Sequence, residues 1–291
     1  MPRKNRSIPQ SRITDSGQII QFRADDQFVD QLAIVADRLK TPIGVLARQW
    51  VAERLSQELI ENTKANSTWR ADRLKQIQRK LKFEMLDGPA QIIQLVPLSQ
   101  QVSINLEEAR KQVTFLAPVE RVDNRYSARI NVHGFITEKT FAMHTKSSGY
   151  VQLFRTGQLE SVRILHAGVD KGVSFIYGDQ LDDDLLRVVW SYSLALAQLK
   201  VPLPIDCSIS FAGINAYCLR TAFQERAPWG IDVDTFELPR VQIQDWSQIS
   251  KIEHVANLLK PALNVLWNAA GFERSFSYDA NGQWCGAKHR I

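Results

Sequence analysis

From Ile20 to Ala24 apolar and polar positions alternate, with Ile20, Phe22 and Ala24 on one side and Gln21 and Arg23 on the other. A period of two predicts a strand with one dry face. Asp25 or Asp26 can then cap a helix, because a carboxylate satisfies free backbone N–H groups and favours the positive end of the helix dipole. In that helix Phe28, Leu32, Val35, Ala36 and Leu39 share one face. Thr41-Pro42 restarts the pattern as an N-cap followed by proline at the first helical position. The second helix is predicted from about Ile43 to Ile60, with Leu46, Ala47, Trp50, Val51, Leu55 and Leu59 forming a wide apolar face. The polar run from Asn62 to Ser67 predicts a linker. Residues 68–83 (TWRADRLKQIQRKLKF) then read as an amphipathic helix. Trp69, Leu74, Ile77, Leu81 and the stem of Lys82 face inward there, and Arg70, Arg73, Lys75, Arg79 and Lys80 face solvent.

Beyond Asp87 the periods mix. Ile92 to Val96 predicts a buried strand, and Arg129 to Thr137 a strand around His133-Gly134. Tyr150–Phe154 and Gln158–Leu165 predict a hairpin turning at Gly157. Asp182, Asp183 and Asp184 are expected to cap a helix containing Leu185, Val188, Val189, Tyr192, Leu196 and Leu199. Ile205, Cys207, Ile209 and Phe211 alternate with Asp206, Ser208 and Ser210, as a half-buried strand does. Ser250 to Glu253 reads as a capping box opening a helix to about Ala270, kinked or split at Pro261 and stopped by Gly271. Tyr278 to Trp284 predicts a turn around Asn281-Gly282. Strands and helices interleave without a βαβ period, so the expected fold class is α+β.

Charge changes this picture more than composition does. Hydrophobic residues make up 44% and charged residues 23% of the 291, a globular balance. No apolar run approaches the roughly 18 residues of a membrane span. The amino terminus has no apolar stretch of a secretory kind, and three cysteines without CxxC spacing (Cys207, Cys218, Cys285) point to a reducing, cytoplasmic setting. The net charge is +5, yet residues 86–291 hold 20 Lys+Arg against 21 Asp+Glu. The positive excess therefore lies in the first 85 residues. Arg3, Lys4, Arg6 and Arg12 all precede the first acid, Asp15, forming a basic flexible arm over 1–16 suited to tracking phosphates. For the basic stretch at 68–83, a solvated face on a connector helix is the favoured reading, and a second phosphate-contacting surface the alternative.

A lone five-residue strand leaves its backbone groups to be paired, and a second copy across a two-fold axis is the simplest partner. The broad apolar face of the second helix also asks for partner surface. Both point to a homodimer with Ile20, Phe22, Leu46, Trp50 and Val51 in its core. Residues 18–61 resemble the ribbon-helix-helix family of DNA-binding proteins, on IIQFRAD, the leucine-bearing first helix and the TP start of the second. The resemblance implies a dimer whose two-stranded ribbon enters the major groove of double-stranded DNA. Gln21 and Arg23, with Ile19 next in the row, would face base edges, glutamine suiting adenine and arginine guanine. Thr41, Ile43 and Gly44 would set the start of the second helix against a phosphate. Ile19 departs from the usual polar choice and suits a thymine methyl or packing. Most of residues 68–284 resembles the carboxy-terminal portion of bacterial Schlafen-AlbA-like DNA-binding proteins, on WRADRL, IIQLVPLS, SGYVQLFRTGQLESV and WNAAGFERSFSYDANGQW. The Schlafen-AlbA-like domain itself is missing, so this likeness implies only a companion module for nucleic-acid-binding heads.

No Walker loop, GxGxxG, HExxH or GxSxG occurs. The five histidines (His133, His144, His166, His254, His289) lack ligand spacing, though His133 and His144 could approach Cys207 or Asp206 in space. Magnesium at Asp182–Asp184 is less expected than capping. No catalytic residue, metal or cofactor is expected. The domains read as an arm (1–16), a DNA-binding and dimerisation domain (17–61), a linker with the basic helix (62–86), and an α+β domain (87–291). The last would sense a small ligand, bind a protein partner or aid assembly. The leading expectation is a cytoplasmic, nucleoid-associated homodimer that regulates transcription or a plasmid or mobile element, with no membrane partner. The alternatives are a nuclease or nucleotide-processing enzyme targeted to DNA by its head, and a dimeric scaffold or antitoxin-like partner.

Overall fold

The computed structural model describes residues 26–99, 102–118, 126–140, 146–221 and 229–286. The strand expected at 20–24, the arm at 1–16, His144 and His289 lie outside them. The contacts divide the chain into two units, Met1–Glu61 and Asn62–Ile291. In the first, α1 (Asp26–Arg38) turns back at Lys40, whose φ is 53°, while Thr41 N–H donates to Ala36 O at 3.0 Å. Leu32, Ala36 and Leu46 are buried there, with Val35 and Ala47 packed against them.

The second helix, α2, begins at Ile43 as expected but runs to Phe83, a length of 41 residues. The expected linker at 62–67 is therefore helix. Asn, Ser and Thr cost only tenths of a kcal/mol each in a helix interior, and Asn66 and the adjoining Thr68 find side-chain partners. Thr68 Oγ1 donates to Lys64 O at 3.0 Å, and Asn66 Nδ2 reaches Pro97 O at 3.1 Å. Docking of the helix from Asn66 onward outweighs the weak local propensity.

The second unit is built on an eight-stranded antiparallel sheet with the strands ordered β10-β8-β1-β5-β4-β3-β2. In chain order these are β1 (Ala90–Pro97), β2 (Ser127–Asn131), β3 (Gly134–Thr140), β4 (Ser147–Phe154), β5 (Leu159–Ile164), β8 (Ile205–Ala212) and β10 (Thr235–Glu237). The eighth, β11 (Val241–Ile243), also pairs with β8. A smaller sheet joins β6 (Ala167–Asp170), β7 (Val173–Tyr177) and β9 (Cys218–Arg220), with β7 and β9 parallel. The short α3 (Leu106–Lys111) is capped by Asn105, whose side chain accepts from Glu107 N and Glu108 N. The fold is mixed α+β with a mostly antiparallel sheet.

Alternation along the strands sorts side chains to the two sheet faces. Ile93, Leu95, Val151, Leu153, Cys207, Ile209 and Phe211 belong to the main apolar core, which includes α4 (Gly178–Gln198) and α5 (Ile252–Ala269). Ile92, Ile136, Tyr150 and Val162 belong instead to a smaller cluster with Ile77 and Met85. One face of the sheet thus carries α4 and α5, and the other the end of α2.

Several local expectations are corrected. The single strand at Arg129–Thr137 is a hairpin, β2 to β3, because Asn131 Oδ1 accepts from both His133 N and Gly134 N at 2.9 Å and closes the turn. β8 is buried on both faces rather than half-buried, since its polar residues lie on the α2 side. Asp182, Asp183 and Asp184 do not cap α4, which starts four residues earlier at Gly178 with Tyr177 as N-cap. The capping box forms at Asp245 and Gln248 of a 3-10 turn (Trp246–Ile249), and α5 has no side-chain cap. Pro261 sits within α5 without splitting it, and Gly271 follows its end at φ 83°. No helix among the described residues is long and apolar enough to cross a membrane.

Candidate nucleic-acid interface

The start of α2 offers what an anion needs. Its first turn contains no acid, and Ile43 and Gly44 are exposed. Nothing lies within 4 Å of where a Cβ on Gly44 would be. The leading N–H groups of a helix carry partial positive charge and lack intrahelical partners. Thr41 Oγ1 donates to Leu39 O at 3.2 Å, which fixes the turn that presents this end. Pro42 O takes up Val45 N and Leu46 N, starting the intrahelical ladder.

The residues expected in the dimer core separate here. Leu46 is buried against α1, whereas Trp50 and Val51 are 41% and 44% exposed. Ile34, Leu39, Ile43 and Val45 are also exposed large apolar side chains of this unit. Ile20 and Phe22 lie outside the described residues. So do the expected base readers Ile19, Gln21 and Arg23 and the arm cations Arg3, Lys4, Arg6 and Arg12.

The basic stretch of α2 is not solvated throughout. Arg70 and Arg73 were expected in solvent, and both are buried against the sheet. Arg73 grips Glu160 of β5 bidentately, Nε to Oε2 at 3.0 Å and Nη2 to Oε1 at 2.8 Å. Tyr150 Oη donates to Glu160 Oε1 at 2.7 Å and Gln94 Nε2 reaches Oε2 at 3.3 Å. Arg70 Nη1 stands 2.7 Å from Asp206 Oδ2 on β8. Burial, with Glu160 alongside, pushes the Tyr150 phenol well above its ordinary range. Lys80 lies over the Tyr150 ring at 4.4 Å, and Lys82 sits beside Phe83, exposed, rather than inward. Lys64, Lys75, Arg79 and Lys82 remain exposed.

Three places carry chemistry of interest for reactivity. Asp182, fully enclosed in the core, accepts at one oxygen from Ser275 Oγ (2.6 Å), Ser277 Oγ (2.8 Å) and Trp267 Nε1 (2.9 Å). Its other oxygen has no hydrogen-bond partner among the described residues. Burial lifts its pKa to about 7, although the three donors oppose the shift. Cys207 is a buried thiol pushed up to about 12 by burial and by the neighbouring Asp206, hence a poor nucleophile. A cleft of about 320 Å³ is lined by Asp87, Gly88, Pro89, His166, Ser174 and Tyr217, at the small end of ligand sites. His133 does not approach Asp206 or Cys207, because β4, β5 and β1 separate β3 from β8. Among the described residues no cluster of three His, Cys, Asp or Glu could hold a metal. Compared with known proteins, the chain matches no family model, no curated protein sequence and no solved structure.

Proposed function

We propose that this chain is a homodimeric, sequence-specific DNA-binding protein, a regulator of transcription or of a plasmid or mobile element. Its amino-terminal unit is read as a strand-helix-helix with the strand at residues 20–24 shared between two copies. The observation that carries the proposal is the apolar surface of the α1–α2 pair. Ile34, Leu39, Ile43, Val45, Trp50 and Val51 are between 41% and 69% exposed, while among the described residues Leu32, Ala36 and Leu46 are buried as a cluster. A helix pair this small, with more large apolar side chains outside than inside among the described residues, gains by covering them with a second copy. Pairing two chains doubles the basic arm as well, and it gives the two-fold symmetry that a palindromic site requires. The open, acid-free start of α2 suits a backbone phosphate beside such a site.

The test is binding of the full chain to genomic fragments at two salt concentrations, followed by Arg23→Ala and Gln21→Ala on the fragment selected. Each substitution should lose roughly 1–3 kcal/mol of discrimination per half-site while random DNA changes far less. Equal, small losses on specific and scrambled duplexes would make these residues phosphate contacts. A stable dimer that binds no duplex would assign the head to assembly alone.

A further inference from the structure

We infer that the outward face of α2 between Lys64 and Lys82 is a second, sequence-independent contact surface for the phosphate backbone of duplex DNA. This inference rests on the DNA-binding reading of the amino-terminal unit. In sequence the stretch is a mixed run of cations, and the sheet divides it. Arg70 and Arg73 turn inward and are neutralised by Asp206 and Glu160. Lys64, Lys75, Arg79 and Lys82 stay exposed. At 3.6 residues per turn these four positions fall within roughly 60° of arc, on the side of the helix away from Arg70, Arg73 and Ile77.

The stripe is predominantly of one sign. Asp72 is the one acid between Glu61 and Glu84, and it lies 3.7 Å from Lys75 with both side chains largely exposed. The other helices interleave their surface charges: α1 carries Asp30, Asp37 and Arg38, and α3 carries Glu107, Glu108, Arg110 and Lys111. A face that needed only solubility would be served by such mixing. Four cations spread over about 27 Å of rigid helix, at about 1.5 Å per residue, instead match an extended polyanion. Duplex DNA presents one charge per roughly 1.7 Å of axis, so a row of cations can find phosphates without a fixed sequence register. Burying the two arginines also removes the guanidinium groups best suited to bidentate base recognition, and mostly ammonium groups, which act as point charges, remain.

The experiment uses the full chain and a variant carrying Lys64→Gln, Lys75→Gln, Arg79→Gln and Lys82→Gln. Binding to a random-sequence duplex is titrated at several salt concentrations, with circular dichroism and thermal melting as fold controls. The expected result is weaker binding with the melting curve unchanged, and a log–log salt slope smaller by up to about 3.6, or 0.9 per lost phosphate contact. A companion variant with arginine at all four positions should keep the wild-type affinity and slope. Wild-type affinity and slope in the glutamine variant would overturn the inference and leave the DNA-binding reading intact. Failure of the unsubstituted chain to bind any duplex would instead overturn that reading, and the inference with it. A parallel arm measures sedimentation with phosphatidylglycerol–phosphatidylcholine vesicles; loss of vesicle binding with DNA binding untouched would overturn the inference in favour of a lipid surface.

Discussion

A carboxyl group sealed in an apolar core needs either a counter-charge or its proton, and Asp182 has three hydrogen-bond donors but no cation among them. A neighbouring acid, Asp183, raises its pKa further. Trp267, Ser275 and Ser277 stabilise the charged form, yet burial wins and the pKa settles at about 7. The sign of the linkage follows. The folded chain holds a proton that the unfolded chain, with an ordinary carboxyl, has already released. Stability from this group is therefore fully present at low pH and is lost as pH rises from about 4 through about 7. At about 1.4 kcal/mol per unit, the loss is on the order of 4 kcal/mol. Asp182→Asn keeps an oxygen for the three donors and cannot ionise. Its melting temperature should exceed that of the wild type at pH 8, and the difference should shrink or reverse near pH 5. Parallel melting curves across that range would mean that Asp182 is ionised throughout.

At the scale of elements, an apolar patch around Ile77 and buried polar contacts together hold α2 to the sheet. Glu160 is fully buried, so removing Arg73 alone strands its charge with Tyr150 and Gln94 as its remaining donors. Arg73→Met should cost about 3–5 kcal/mol in denaturant unfolding, whereas Arg73→Met with Glu160→Leu should recover most of that. A double variant as unstable as the single one would show that shape, not charge, secures the helix. The hairpin from β2 to β3 depends on Gly134, where a Cβ would lie 2.2 Å from Leu153 O and φ is 150°. Gly134→Ala should lower stability by about 2 kcal/mol or more in the same assay, because backbone and not a movable side chain occupies the space. These elements also show what a sequence discloses. Strands β1, β4 and β5 and the Gly157 turn were legible because one period and one turn residue specify them. The Arg73–Glu160 contact was not, since its partners are 87 residues apart and a basic run looks solvated until the sheet beneath it is known. The same cause hid the second buried face of β8. Asp206, Ser208 and Ser210 read as solvent-facing, but Asp206 meets Arg70 beneath α2. In the amino-terminal unit, the α1–α2 pair was legible from apolar spacing and from Pro42, whereas the Thr41 hydroxyl donates to Leu39 O rather than capping α2. The far end of α2 was not, because tertiary docking carried it through a polar run that local propensity reads as a break.

For the molecule as a whole, the question is whether the proposed interface exists between two copies. Trp50 and Val51 are exposed in the single chain, so a charge at either position costs little there. In a dimer that covers them the same charge is desolvated without a partner, which costs several kcal/mol on each side of the two-fold axis. Trp50→Asp with Val51→Asp should therefore convert a dimer to a monomer in sedimentation equilibrium, with the main unfolding transition of the second unit unmoved. DNA binding should follow assembly. Two linked half-site contacts raise the effective affinity well above either one alone, so the monomeric variant should retain weak, salt-sensitive binding and lose its preference for the specific fragment. An unsubstituted chain that sediments as a monomer at the concentrations where it binds DNA specifically would remove the shared ribbon from the account. A dimer that survives both aspartates would move the interface away from this face of α2.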